Sequence, residues 1–269
     1  MVMRLFRSCI RFVAVLAIGS FTCVAFAADT TWPMKEFSPD LDDKASLQRG
    51  ANLFVNFCLG CHSLQYQRYE RTANDIGPID PDLFTQYLIH TDQKIGEHMT
   101  SSMSEEDAKR WFGAPPPDLT MVTRVRSPEW VYNFLNAFYA DESRPFGANN
   151  KIFPDVGMPN VLLPLQGITN EVCEGKVAVD ITGGLTAIDA PRQDNCFKLE
   201  TSAGTGMYDA VQFNQATMDI TNFLHYVADP TRQEREALGG PVLIFLFVLL
   251  VLAYFLNKNY WQDVKRDPE

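Results

Sequence analysis

The sequence predicts a mainly α-helical, exported domain held to a membrane by one C-terminal helix. Three observations carry that expectation: a short basic and apolar leader, helical periodicity at both ends of a long irregular middle, and nineteen consecutive uncharged residues from Leu238 to Leu256.

The leader, "MVMRLFRSCIRFVAVLAIGSFTCVAFAADT", carries Arg4, Arg7 and Arg11 and then an apolar run from Phe12 to Phe26. It closes on Ala25-Phe26-Ala27, a small-residue cleavage pattern, so residues 1–27 are expected to be a signal peptide. The run is short for a bilayer span, which needs about 20 residues. Cys9 and Cys23 would leave with it. Without the leader's three arginines the formal charge of −10 becomes −13. So acidic an exported chain is unsuited to nucleic acid and suited to a basic soluble partner.

In "DDKASLQRGANLFVNFCLGCH" the apolar positions Leu47, Ala51, Phe54, Val55 and Cys58 fall on one face of a helix. Asp42 or Asp43 is placed to cap it, and Gly50 marks a close approach by another backbone. The helix leads into Cys58, Cys61 and His62, a spacing that suits three chemistries. Two thiols and the following imidazole can hold a covalent haem, with the imidazole as proximal iron ligand. They can form a redox dithiol, which belongs at a helix start, where the dipole lowers a thiol pKa. They can supply part of a zinc site, which needs four ligands in close pairs. Here the motif follows a helix, and the other mature cysteines, Cys173 and Cys196, are not closely paired. Covalent haem is the expected reading.

A haem that carries electrons keeps both axial positions filled. His90, His98 and His225 have ordinary roles as their simplest explanation: the first two flank a polar stretch, and the third falls just off an apolar stripe. Among the methionines Met158 stands out in "IFPDVGMPNVL", because Pro154, Gly157 and Pro159 stiffen the loop around a weak thioether donor.

Further along, "PEWVYNFLNAFYA" is expected to be helical from Pro128 to Ala140, and Ile220, Phe223, Leu224 and Val227 mark a late helix that Pro230 ends. "TRQEREALGG" then leads into the membrane. The uncharged segment reaches about 28 Å at 1.5 Å per residue, close to a bilayer core. Lys258, Tyr260, Trp261, Lys265 and Arg266 follow it, which implies a C-terminus left inside. The expected organisation is a periplasmic haem domain over 28–235, a transmembrane helix over 236–257 and a cytoplasmic tail over 258–269.

Taken in order, "LQRGANLFVNFCLGCHSLQY", "APPPDLTMVTRVRSPEWVYNFL", "IFPDVGMPN" and "FLHYVADPTRQEREALG", running into a single span, resemble the bacterial cytochrome c1 family. Its members are the haem subunits of ubiquinol–cytochrome c reductase (bc1) complexes. The resemblance implies a class I cytochrome c-like haem domain with long loops, and one haem c attached at Cys58 and Cys61 with His62 and Met158 on iron. It implies that Arg126 approaches a haem propionate and that Pro116 and Pro117 wall the haem edge. It implies an electron carrier rather than an enzyme by itself, in a respiratory or photosynthetic chain, taking electrons from a Rieske iron–sulfur protein. The partners implied are cytochrome b, the Rieske protein, a soluble or anchored cytochrome c, membrane lipid and a dimeric complex, at the cell membrane. An anchored monohaem cytochrome serving another oxidase or dehydrogenase is the alternative, and an exported thiol–disulfide enzyme a further one.

Two features depart from many relatives. Trp111-Phe112-Gly113 stands where an Asn-Asn-Gly stretch is common, and the segment from Asn170 to Gly206 is long. Cys173 and Cys196 within it are the unassigned thiols of an oxidising compartment, so a disulfide is expected. Closing that loop would contribute about 3 kcal/mol. The acids Glu105, Glu106 and Asp107, or Glu171 and Glu174, are candidates to steer a basic partner.

Overall fold

A computed structural model describes residues 32–77, 79–172, 196 and 198–264. The leader, Cys173, Glu174, Lys265 and Arg266 lie outside the described residues. The fold belongs to the unit that begins at Met34.

Helix α1 spans Lys44–Phe57 and is capped by Asp43, whose side chain accepts from the Ser46 N–H. Its apolar face buries Leu47, Ala51, Phe54 and Val55 as the periodicity requires. Strand β1 (Leu64–Arg68), α2 (Tyr69–Asp75), α3 (Pro81–Leu88), β2 (His98–Met99) and α4 (Glu105–Phe112) follow. After them come α5 (Val122–Val125), α6 (Pro128–Asn136), β3 (Phe138–Ala140), β4 (Ala148–Asn150), α7 (Leu163–Gln166), β5 (Thr169–Val172) and β6 (Lys198–Thr201). The last helices are α8 (Ala210–Ala228) and α9 (Arg232–Val264). The strands form three antiparallel pairs, β1 with β2, β3 with β4 and β5 with β6. Ladders this small brace loops and do not build a core.

The core is the crossing of α1 with α8. A Cβ at Gly50 would lie 2.0 Å from the Asp219 carbonyl oxygen and 2.8 Å from Phe223 Cβ, so only glycine lets the backbones meet. Phe54 and Phe223 pack there with ring centroids 5.7 Å apart, and Ile220, Leu224 and Val227 are buried beside them. Asp219 is buried beneath the crossing, and its carboxylate is fully engaged. Ser46 Oγ donates to it at 2.6 Å, Gln215 Nε2 at 2.9 Å, and Arg49 through Nε at 2.6 Å and NH2 at 3.0 Å. A buried charge so satisfied fixes register more surely than it adds stability.

Two sequence expectations change. Helix α6 stops at Asn136 rather than Ala140, because Phe138–Ala140 pairs with Ala148–Asn150 and buries Phe138 against a second apolar cluster. The expected lead-in "TRQEREALGG" is itself helical from Arg232, with an Arg232–Glu236 pair one turn apart. Helix α9 is therefore longer than the expected span over 236–257, and its apolar stretch is exposed throughout, as a membrane-crossing helix requires. Tyr260 and Trp261 are exposed beyond it.

Candidate functional site

The "CLGCH" turn closes helix α1. Cys58 is its C-cap, and the Cys61 and His62 N–H groups both bond to the Cys58 carbonyl, at 3.0 and 2.8 Å. Cys58 and His62 are buried and Cys61 is half-buried. Neither thiol is bridged. Burial, with Cys61 alongside, pushes the Cys58 thiol up to about 12, and burial raises Cys61 as well. Thiols at the negative end of a helix and shielded from water are the opposite of a reactive dithiol, whose thiolate needs the helix start. Among the described residues no group of three or more His, Cys, Asp or Glu gathers to hold a metal ion, which leaves the zinc reading without ligands.

His62 is set by the proline-rich segment. Its Nδ1 lies 2.7 Å from the Pro117 carbonyl oxygen, to which a protonated Nδ1 donates. That fixes the tautomer and leaves Nε2 with its lone pair, the arrangement of a metal-ligating imidazole. Burial lowers the His62 pKa, partly offset by the Pro117 hydrogen bond and the Asp118 charge, so the ring stays neutral. "PPDLT" is a clasp of main-chain and side-chain groups on the strand after the turn. The Leu119 N–H bonds to the Ser63 carbonyl at 2.9 Å, and the Asp118 carboxylate accepts from the Gln65 N–H at 2.8 Å. From the other side Ser101 Oγ donates to the Gly60 carbonyl at 2.8 Å. The sequence reading gave Pro117 a wall-forming ring and missed the role of its carbonyl.

A second group forms around Met158. Its half-buried side chain packs with Phe134 against Phe138, Ala148 and Val156. Phe134 stacks on Trp130, with centroids 5.1 Å apart, and the exposed Arg126 guanidinium lies 5.2 Å from the Trp130 ring centroid. Among the described residues no carboxylate pairs with Arg126, whereas its neighbour Arg124 is taken by Asp229 at 2.9 Å. Arg126 thus has a charge to offer an anionic group, and α6 links it through Trp130 and Phe134 to the Met158 cluster. The Met158 loop passes close to the segment that runs on to Pro117, where a Cβ at Gly157 would come 4.0 Å from the Phe112 carbonyl oxygen. Phe112 itself packs on Phe146 with centroids 5.4 Å apart.

The other candidates take ordinary roles. His98 is in β2 and His90 is exposed. His225 Nε2 accepts from Arg232 NH1 at 2.7 Å, at the junction of α8 with the membrane helix. Glu105, Glu106 and Asp107 face Lys109 and Arg110 on their own helix at 3.6–3.9 Å, and Glu171 pairs with Lys151. Glu105, Glu106 and Asp107 are thus partly offset by their own helix, and Glu174 lies outside the described residues. The Cys173–Cys196 expectation falls partly outside the described residues.

These residues fit a covalent haem: two shielded thiols at a helix end, an oriented neutral imidazole, a thioether on a supported loop and an unpaired guanidinium. A model of the cytochrome C1 family matches residues 32–264. The chain is 47% identical over 225 residues to the cytochrome c1 of Allochromatium vinosum, covering 84% of this chain and 87% of that one. It is 37% identical over 250 residues to a protein named ammonia monooxygenase gamma subunit from Nitrosomonas europaea, covering 93% and 97%. A solved chain of a hyperthermophilic respiratory Complex III aligns over 94% of this chain and 96% of its own, at 16% identity and a TM-score of 0.42.

Proposed function

The chain belongs to the cytochrome C1 family and is a c-haem electron-transfer subunit of a bc1 complex, and we propose that Cys58 and Cys61 attach its haem while His62 and Met158 ligate the iron. The observation that carries this is the His62 Nδ1 to Pro117 carbonyl contact at 2.7 Å, beside two shielded thiols at the end of α1. Bound there, the haem supplies a one-electron ferric–ferrous couple. The chain's own residues do the rest. Cys58 and Cys61 would each bond to one vinyl group, and His62, its Nδ1 proton held on Pro117, would offer the Nε2 lone pair to the iron. Met158 would supply the thioether ligand, which would exclude oxygen and favour the reduced state. Arg126 stands opposite a propionate, a role supported by its unpaired charge. Pro117 contributes its carbonyl and, with Pro116, a rigid edge.

Helix α9 anchors the domain and packs on cytochrome b in a dimeric complex surrounded by lipid. The haem domain lies on the periplasmic side, with the leader removed and the C-terminus in the cytoplasm. The Rieske protein is the donor and a soluble or anchored cytochrome c the acceptor, so the chain carries electrons and catalyses nothing alone. A Cys173–Cys196 disulfide closes the β5–β6 hairpin. Support comes from the Val172↔Lys198 register, which ends beside both positions, and from Cys196 being disulfide-bonded.

The test is a pyridine haemochrome spectrum after acid–acetone extraction of the purified protein. Haem that resists extraction and has both vinyl groups saturated is expected; a colourless protein with two titratable thiols would overturn the reading. Co-purification then decides between cytochrome b with the Rieske protein and the monooxygenase association named for the Nitrosomonas europaea relative.

A further inference from the structure

A thioether is a weak iron donor, so its position must be fixed by the protein before ligation. The loop between β4 and Met158 has little regular structure to do this, yet the N–H groups of Lys151, Ile152, Phe153 and Asp155 are engaged. Asn150, 1% exposed, accepts from the Ile152 N–H at 2.9 Å and the Phe153 N–H at 3.2 Å through Oδ1, and donates from Nδ2 to the Phe134 carbonyl of α6 at 2.8 Å. Asn149, also buried, accepts from the Asp155 N–H at 2.9 Å and donates to Asp141 at 3.0 Å. Asp155 sits at φ 61°, a left-handed conformation that a residue with a Cβ adopts reluctantly. Three bonds hold it there: the one from its N–H to Asn149, and two from Arg144, NH1 to the carboxylate at 2.9 Å and NH2 to the carbonyl at 2.7 Å. Val156 is buried next, and Met158 follows two residues on, between Gly157 and Pro159.

We infer that Arg144, Asn149 and Asn150 are positioning residues for the sixth ligand, a hydrogen-bonded frame that sets the Met158 loop and so governs how firmly its thioether holds iron. The inference rests on the Met158 ligation proposed above. Buried loop amides must find partners, and here the partners are side chains that tie the loop at one end to α6 and at the other to the Asp155 turn. The bidentate grip of Arg144 is directional although the Asp155 carboxylate is exposed. Without the frame the loop gains conformations in which the sulfur is off the metal, while the haem remains attached at the separate "CLGCH" turn.

The experiment uses the full-length haem protein in detergent, as wild type and as Asn149→Ala, Asn149→Asp, Arg144→Gln and Met158→Leu. Three quantities are read: the red charge-transfer band that marks thioether ligation of ferric haem, carbon monoxide binding to the ferrous form, and thermal melting. Asn149→Ala and Arg144→Gln should keep covalent haem, weaken the band and raise the carbon monoxide-reactive fraction about tenfold, the ratio that corresponds to 1.4 kcal/mol. Asn149→Asp, which keeps the acceptor for the Asp155 N–H but sets a second carboxylate against Asp141, should recover the wild-type band only in part. If Asn149→Ala does not accumulate, Arg144→Gln decides alone, since it leaves both asparagines in place. Lowered melting with the band and carbon monoxide inertness of the wild type would make the frame purely structural and overturn the inference. Met158→Leu separates the two failures: if it too keeps the band, the ligand assignment itself is wrong.

Discussion

The two sides of the proposed haem site are held by different means. The Cys58–His62 turn is closed by its own main chain, and His62 is aimed by a backbone carbonyl. The Met158 loop is held by side chains, two buried asparagines and an arginine. The difference follows from ligand strength. Thioether links and an imidazole tolerate small movements of their support, so a clasp built largely from main-chain groups, with Asp118 and Ser101 beside them, is sufficient. A methionine sulfur does not, and the loop that presents it needs particular residues.

The largest break in that comparison is expected from Cys58→Ala. It removes one covalent link and the C-cap residue of α1, so doubly linked haem should vanish and extractable haem appear. Acid–acetone extraction with the haemochrome spectrum measures it directly. A full complement of doubly linked haem in this variant would mean that the attachment site lies elsewhere.

Gly50→Ala comes next, because both sides stand on the α1–α8 crossing. Its Cβ would overlap the Asp219 carbonyl and press on Phe223, and over-packing of this kind costs about 1–3 kcal/mol. Thermal melting should fall for the whole domain, with the carbon monoxide-reactive fraction unchanged in what remains folded. A selective loss of methionine ligation instead would tie the crossing to one side of the site alone.

That crossing was legible in the sequence, as were the helix before the motif, the stripe Ile220–Val227 and the long apolar span, because each is written as an apolar pattern over two or more helical turns. What escaped has no period. "PPDLT" acts through the Pro117 carbonyl, the Leu119 amide and the Asp118 carboxylate, and only spatial proximity to His62–Gln65 gives these meaning. Asn149 and Asn150 are polar, and polar residues in a loop are read as solvated until a fold buries them. Asparagine is nonetheless a turn-forming residue, so two in succession just before a Pro-Asp-Val-Gly turn were the available signal. The helix ending at Asn136 was overextended because Phe138 and Tyr139 fit either period until β4 supplies a partner.

A smaller effect belongs to the junction below the site. Burial first, and then the Arg232 and Arg124 charges, lower the His225 pKa against the pull of Asp229, and Nε2 accepts from Arg232, so the folded protein holds this ring neutral. As pH falls through 6.5 the unfolded chain takes up a proton that the folded chain takes up only lower. Stability should therefore be flat in pH above that value and decline below it, and His225→Gln should flatten the decline. Melting curves of the haem-loaded protein measure it, since a ligated His62 does not titrate there. An unchanged slope in His225→Gln would assign the pH dependence to other groups.

The smallest expected effect sharpens the comparison most. Pro117 touches His62 through its carbonyl oxygen, and Pro117→Ala keeps that oxygen. What changes is backbone freedom, worth about 0.4–1 kcal/mol through the unfolded state when the native φ is retained. Covalent haem, the charge-transfer band and carbon monoxide inertness should all survive, with melting lowered slightly. The same conservative truncation at Asn149 removes a side-chain oxygen that holds Asp155, and should disturb ligation. Similar changes in atom count would then give opposite results on the two sides, as expected if one is built from main chain and the other from side chains. If Pro117→Ala instead shifts the reduction potential or opens the iron, the proline ring itself contacts the haem. The proximal side would then depend on residue identity as much as the methionine side does.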